Sequence, residues 1–243
     1  MALFQVNMPQ VPDSVAIHNI ADTPLLKRAK LILVTTYLVS FCVAFSFIFW
    51  SGYKEITVIP PELNIFLNIF SACSFIALFI VFFYFSKLSL RRRIFNLYIV
   101  VFAIALIGAI INFIVSQDID DLLSKDSEGS LAVAALFLYT CIALPVYFYI
   151  FWQMGKELSF ILNDAYFFKG TKMMVISFIA MLVELVFTMV ALGLKSEALI
   201  VIVALLLLAT CILLIVGCIL YLIAVFRIHQ IIAYGEQIPN TIS

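Results

Sequence analysis

ALIVIVALLLLATCILLIVGCILYLIAVF, residues 198–226, carries no charged side chain and decides the fold. A helix rises about 1.5 Å per residue, so this run outspans a hydrocarbon core of about 30 Å. Five more runs of the same kind lie upstream, at 31–50, 64–86, 94–116, 131–152 and 173–193. In lipid every peptide N–H and C=O has to be satisfied within its own segment, and a helix does that unaided. The chain therefore reads as all-α. It is expected to be a polytopic membrane protein, with six transmembrane helices bundled into a single membrane domain over 1–243. Residues 1–30 form an N-terminal segment and 227–243 a tail.

The composition agrees. Hydrophobic residues make up 65% of the chain and charged ones only 12%; mean hydropathy is +1.20, far above soluble domains. A formal net charge of zero gives no electrostatic ground for nucleic-acid binding. The expected partners are the lipid bilayer and a membrane-protein partner or a second copy of the chain. No cleavable signal peptide is expected, because the first 30 residues lack an apolar core with a small-residue cleavage site and contain Asp13 and Asp22. The five cysteines all fall inside apolar runs and form no CxxC pair, so neither a disulfide framework nor a zinc site is expected.

Orientation follows from the basic residues. Eleven of the fourteen Lys and Arg side chains fall on one side of the bundle: Lys27, Arg28, Lys30, Lys87, Arg91, Arg92, Arg93, Lys156, Lys169, Lys172 and Arg227. Lys54, Lys125 and Lys195 fall on the other. The positive-inside rule then puts both termini in the cytoplasm, and the expected location is a bacterial cytoplasmic (inner) membrane. Arg91, Arg92 and Arg93 are expected to contact anionic lipid headgroups. The opposite loop, 117–130, is acidic. It lacks the glycine and the terminal glutamate of a calcium loop, so it reads as solvated.

Local signals set the helix ends. Thr23-Pro24 reads as an N-cap followed by proline at the first helical position, and Pro60-Pro61 does the same before the second run. Residues 153–172, with Leu158, Ile161, Leu162, Tyr166 and Phe168, suggest a short interfacial helix. The sixth run is longer than a bilayer requires, so it is expected either to tilt or to continue past Arg227 as a cytoplasmic helix until Gly235 and Pro239 stop it. A faint repeat, Lys87-Leu88-Ser89 against Lys156-Glu157-Leu158-Ser159, suggests helix pairs related by duplication.

Glu184 is the only ionisable acidic or basic residue inside any run. Intramembrane carboxylates are costly and mark function by default. Desolvation without a counter-charge favours the neutral acid. At helical spacing it shares a stripe of small and polar residues with Ser177, Ala180, Met181, Thr188 and Ala191, a face suited to helix contact. Ser40, Ser74, Thr140 and Thr210 lie at similar depth in other runs. Together with Glu184, Ser177 and Thr188 they form the candidate proton or cation site. Asn64, Asn68, Ser71 and Asn112 form a candidate vestibule.

Much chemistry is missing. Both histidines, His18 and His229, lie outside the runs, so an intramembrane serine–histidine protease, an HExxH zinc site or a haem pair has no material. There is no mid-run lysine for a Schiff base and no phosphate loop. No cofactor, no metal and no catalytic residue is expected. The expected function is a non-enzymatic accessory subunit or scaffold. The alternative is a small carrier or channel for a proton-coupled or cationic solute, working through Glu184.

Overall fold

The computed structural model describes residues 15–54, 61–122, 129–194 and 197–234, with Met8 and Val11; the side chains at 44, 45, 47–54, 61, 62, 64, 112–122, 129–137, 192 and 197 lie outside that description. Six helices follow one another: α1 (Pro24–Lys54), α2 (Pro61–Ser89), α3 (Arg93–Leu122), α4 (Gly129–Leu162), α5 (Ala165–Gly193) and α6 (Glu197–Arg227). Two short strands flank them, β1 (Ala16–Asn19) and β2 (Gln230–Ala233). Among the described residues five stretches are long and apolar enough to cross a membrane: Ile65–Ser89, Arg93–Ile111, Leu138–Leu162, Ala165–Ala191 and Ala198–Arg227.

The helix starts follow the proline signals. α1 begins at Pro24, with the Lys27 amide donating to the Thr23 carbonyl at 3.1 Å, and α2 begins at Pro61. Proline is favoured there because the first-turn amides have no partner within the helix. The ends of α2 and α4 are also determined locally. In each, the residue just past the helix takes a left-handed conformation: Leu90 (φ 56°) and Asn163 (φ 49°). The next amide reaches back five residues, Arg91 to the Ser86 carbonyl at 3.2 Å and Asp164 to the Ser159 carbonyl at 3.1 Å. This wraps up carbonyls that the helix leaves unpaired. Asp164 then caps α5, its Oδ1 accepting the Tyr166 amide at 2.9 Å.

Those turns correct three expectations. There is no separate interfacial helix over 153–172. α4 runs unbroken to Leu162, and α5 starts three residues later. Leu158, Ile161, Leu162 and Phe168 are buried in the bundle, because the helices extend beyond their apolar runs and pack on one another there. α6 does not continue past Arg227; the chain turns into β2. The two Lys-Leu-Ser segments are not structural equivalents. Ser89 closes α2 with its hydroxyl on the Phe85 carbonyl, whereas Ser159 lies inside α4 and accepts the Phe168 amide from α5.

Each helix packs on its sequence neighbour, and α1 closes onto α6. Buried side chains concentrate at the end that carries β1 and β2: Leu26 and Ala29 of α1, Phe82 and Phe85 of α2, Ile94 and Tyr98 of α3, Leu158 and Ile161 of α4, Phe167 of α5, Ala224 and Val225 of α6. The two terminal segments meet there as an antiparallel pair, Ala16 opposite Ala233 and Asn19 opposite Gln230. Ile231 and Ile232 are fully buried, and β2 packs against α2 and α4. Lys30 ties α1 to the same end, its Nζ donating to the carbonyls of Phe226 at 2.6 Å and Ile228 at 2.8 Å. Burial holds this ammonium below the ordinary lysine range.

Towards the other end the helices present apolar side chains outward, such as Phe187, Met189 and Leu205, as lipid-facing surfaces do. Water gives no drive for helix association in lipid, so close approach and interhelical hydrogen bonds have to supply it. Both are present. The Tyr98 hydroxyl donates to the Phe75 carbonyl at 2.6 Å, joining α3 to α2, and the Tyr139 hydroxyl donates to the Ile104 carbonyl, joining α4 to α3. Tyr37 and Tyr221 join α1 to α6 through hydroxyls 3.1 Å apart.

The α5–α6 contact is the most extensive helix pair, and glycine makes it possible. A methyl group built on Gly170 would lie 2.8 Å from both the Gly217 carbonyl oxygen and the Tyr221 amide nitrogen. Both obstacles are backbone, so relief requires moving a helix. Gly170→Ala should therefore lower stability by about 1–3 kcal/mol. Among the described residues nothing lies within 4 Å of the same atom at Gly193, so Gly193→Ala should be neutral, or stabilising by up to about 1 kcal/mol through helix propensity. Thermal unfolding of the two variants in one detergent checks the contrast.

Candidate functional site

Glu184 sits on the buried face of α5. Ser177, Glu184 and Ala191 are buried and Ala180, Met181 and Thr188 half-buried, while Leu185, Val186 and Phe187 are exposed. The close packing at Gly170 and Gly217 sets the antiparallel register of α5 on α6, and this register brings Thr210 opposite. Its Oγ1 donates to Glu184 Oε1 at 2.6 Å, with both residues buried. Glu184 Oε2 is buried with no hydrogen-bond partner among the described residues.

The other members of the expected proton or cation site are not gathered round it. Thr188 and Ser177 turn their hydroxyls to their own helix, to the carbonyls of Glu184 and Met173, each at 2.8 Å. Ser40 and Ser74 are half-buried on α1 and α2, Thr140 is exposed on α4, and none of them reaches Oε2. Asn68 and Ser71 of the candidate vestibule are exposed on α2, while the side chains of Asn64, Asn112 and the acidic segment 117–130 lie outside the description; 117–122 continue α3 and 129–130 open α4. The described residues include no group of three or more His, Cys, Asp or Glu side chains placed to hold a metal.

A second polar centre, absent from the sequence reading, lies at the end bearing the termini. Arg91 is not an exposed lipid contact. It is 6% exposed and pairs with Glu157, 5% exposed, through Nε to Oε1 at 2.5 Å and Nη2 to Oε2 at 3.2 Å. Left-handed Leu90 turns the chain inward here, whereas Arg92 and Arg93 remain exposed. The Arg91 guanidinium carbon lies 4.9 Å from the Phe160 ring centroid, and Tyr234 stacks on that ring at 4.0 Å. Tyr234, the residue after β2, thus backs the ring that covers Arg91, and burial pushes its phenol up against the opposing pull of Arg91. Nη1 of Arg91 has no partner among the described residues.

Three adjacent arginines had suggested a contact with anionic lipid headgroups. The signal that could have separated Arg91 from its neighbours is Ser89-Leu90-Arg91 after a helical run. The first residue beyond a helix turns the chain, and the next one can point back into the bundle. Comparison with known proteins adds no relative: no protein-family model, no curated protein and no solved structure matches this chain. The two polar centres are therefore read on their own chemistry. One is a carboxyl held by a hydroxyl between two helices. The other is a desolvated ion pair that joins the α2–α3 turn to α4.

Breaking a buried pair leaves a lone charge in the core, whereas replacing both partners with apolar groups removes the problem. Arg91→Ala should cost about 3–5 kcal/mol or prevent folding. Arg91→Met combined with Glu157→Leu should unfold within about 1–2 kcal/mol of the wild type, or above it. Unfolding temperatures of the single and double variants decide this, and a double variant as weak as the single one would show that the ion pair itself is needed.

Proposed function

We propose that the chain is a non-enzymatic accessory subunit or scaffold of a bacterial cytoplasmic membrane, with α1 as its sixth span and both termini in the cytoplasm. The observation that carries the reading is the placement of Glu184. Its carboxyl is closed into the α5–α6 contact by Thr210, and the groove beside α5 is walled by Val175, Ile176, Ile179 and Leu182 instead. A carboxyl in that position ties helices together. The location of the basic residues supports the orientation: Lys30, Arg91, Lys156, Lys172 and Arg227 all lie at the end where the termini pair.

A carrier or channel for protons or a cationic solute is the second reading. What favours it is Oε2 of Glu184, buried without a hydrogen-bond partner, since an unsatisfied carboxyl oxygen is a place for a proton or cation to act.

Glu184→Gln separates the two. On the scaffold reading the amide still accepts from Thr210 and the protein stays folded and binds its partner; on the carrier reading pH-dependent flux in proteoliposomes falls to background with folding unchanged. Purification in mild detergent should bring down a stoichiometric membrane partner. The orientation has its own measurement. In a variant lacking the native cysteines, cysteine at Ser51 or Ser127 should label in intact cells, and labelling only after lysis would reverse the topology.

A further inference from the structure

Three helices change character along a single face. At helical spacing one face of α1 carries Leu26, Ala29, Leu33, Thr36 and Ser40, one face of α2 carries Phe85, Phe82, Leu78 and Ser71, and one face of α4 carries Leu158, Met154, Tyr147, Ala143 and Thr140. The first members of each series lie at the end carrying β1 and β2 and are buried in one core cluster. Further along the same faces Thr36, Ser40 and Ala143 are half-buried, and Ser71, Thr140 and Tyr147 are exposed. Tyr147 shows where that exposure leads. The neighbours of α4 are α3 and α5, yet the Tyr147 phenol interacts electrostatically with Tyr37 of α1 and Tyr221 of α6, as well as with Tyr98 of α3. Tyr37 and Tyr221 stand together where α1 closes onto α6, hydroxyls 3.1 Å apart and rings edge to face at 5.4 Å. Tyr147 therefore points at the axis of the bundle, and it is 43% exposed there. The outer groove between α4 and α5 is lined by Phe148 and Tyr149 instead. Helices that pack on their sequence neighbours and close α1 onto α6 thus surround open space at the level of Tyr147.

We infer that the bundle encloses a pocket, open away from β1 and β2, that binds a small organic cation against the phenols of Tyr147, Tyr37 and Tyr221. Phenol rings present a negative face to a cation, and their oxygens accept hydrogen bonds. Hydroxyls of Thr36, Ser40 and Ser71 lie on the same inward faces, and no Lys, Arg or His side chain among the described residues lies on those faces beyond Leu33, Leu78 and Met154. An anion would find no counter-charge there. α3 carries Asp118, Asp120 and Asp121 to the open end, and negative charge at a mouth raises the local concentration of cations. The buried cluster closes the other end. Glu184 is held against Thr210 and takes no part, so the site stands or falls separately from either reading of the function.

The test is thiol labelling of the full-length chain in permeabilised cells, which gives reagent access to both faces of the membrane. In a variant lacking the native cysteines, single cysteines replace Ser71 and Ala143 on the inward faces, and Leu138 and Ile142 on the exposed apolar face of α4. Thiosulfonates attack the thiolate, which needs water. Ser71→Cys and Ala143→Cys should label readily and Leu138→Cys and Ile142→Cys hardly at all. A trimethylammonium reagent should be favoured over a sulfonate one about tenfold more than it is with free 2-mercaptoethanol, the effect of one desolvated cation–π contact. Tetramethylammonium should protect Ser71→Cys. Adding Tyr147→Leu should raise the concentration needed for half-protection about tenfold while labelling continues, whereas Tyr147→Phe, which keeps the ring, should stay within about twofold. Inward cysteines that label no faster than the outward pair would overturn the pocket. A reagent ratio equal to that of 2-mercaptoethanol, unchanged protection in Tyr147→Leu, or an equal loss in Tyr147→Phe would each overturn the cation site.

Discussion

The Arg91–Glu157 pair is the constraint on which one end of this molecule depends. Two charges taken out of water cost several kcal/mol each after relaxation, and their attraction offsets this only with good geometry and continued exclusion of solvent. The geometry comes from the left-handed turn at Leu90, which aims Arg91 inward, and from the unbroken extension of α4, which carries Glu157 to meet it. Exclusion comes from Phe160 against the guanidinium and Tyr234 against Phe160, with β2, whose Ile231 and Ile232 are fully buried, packed on α2 and α4. These parts come from three separate stretches of the chain: Leu90 and Arg91, Glu157 and Phe160, and Ile231 to Tyr234. A charged pair that tolerates only one arrangement fixes α3 against α4 and fixes where β2 can lie.

Within the membrane a different logic holds the helices. Glycine lets α5 and α6 approach until backbone meets backbone, and the register so imposed places Thr210 opposite Glu184. Tyrosine hydroxyls reaching carbonyls of the next helix do comparable service between α2 and α3 and between α3 and α4. Each such bond is worth about 1 kcal/mol or less in lipid, so specificity comes from several placed together. The basic side chains at the terminal end serve a further purpose. Lys156 and Lys172 lie over the aromatic rings of Phe168 and Trp152.

Much of this architecture was legible in the sequence. Apolar runs longer than a bilayer, interrupted by short charged segments, admit little but a helical bundle, and proline at 24 and 61 marks two helix starts because the physics of the first turn is local. The polar face of α5 was also legible, since 3.6-residue spacing alone puts Ser177, Glu184 and Ala191 together. What sequence could not give was which residue on another helix meets Glu184. Four hydroxyls at similar depth were equivalent candidates, and only the glycine-set register selects Thr210. The α4–α5 turn was missed although Asn163-Asp164 carries its signal, an asparagine tolerant of positive φ followed by a capping aspartate, because the surrounding apolar residues drew attention to a helix lying in the interface. The terminal strands were illegible for another reason. Four residues such as Gln230–Ala233 have no periodicity to read, and their partner lies at the opposite extreme of the chain.

That last pairing determines the order of assembly. β1 leaves the ribosome before any helix, yet its only strand partner among the described residues is made after all six. Until then β1 has no strand partner among the described residues, and the buried positions of Ile231 and Ile232 stay unfilled. Closing so long a loop is entropically slow, and non-local strand pairing is late for the same reason. The sheet thus acts as a completion seal: the ion pair is dried and the bundle locked only once the last helix has been threaded and its end has come back to the beginning.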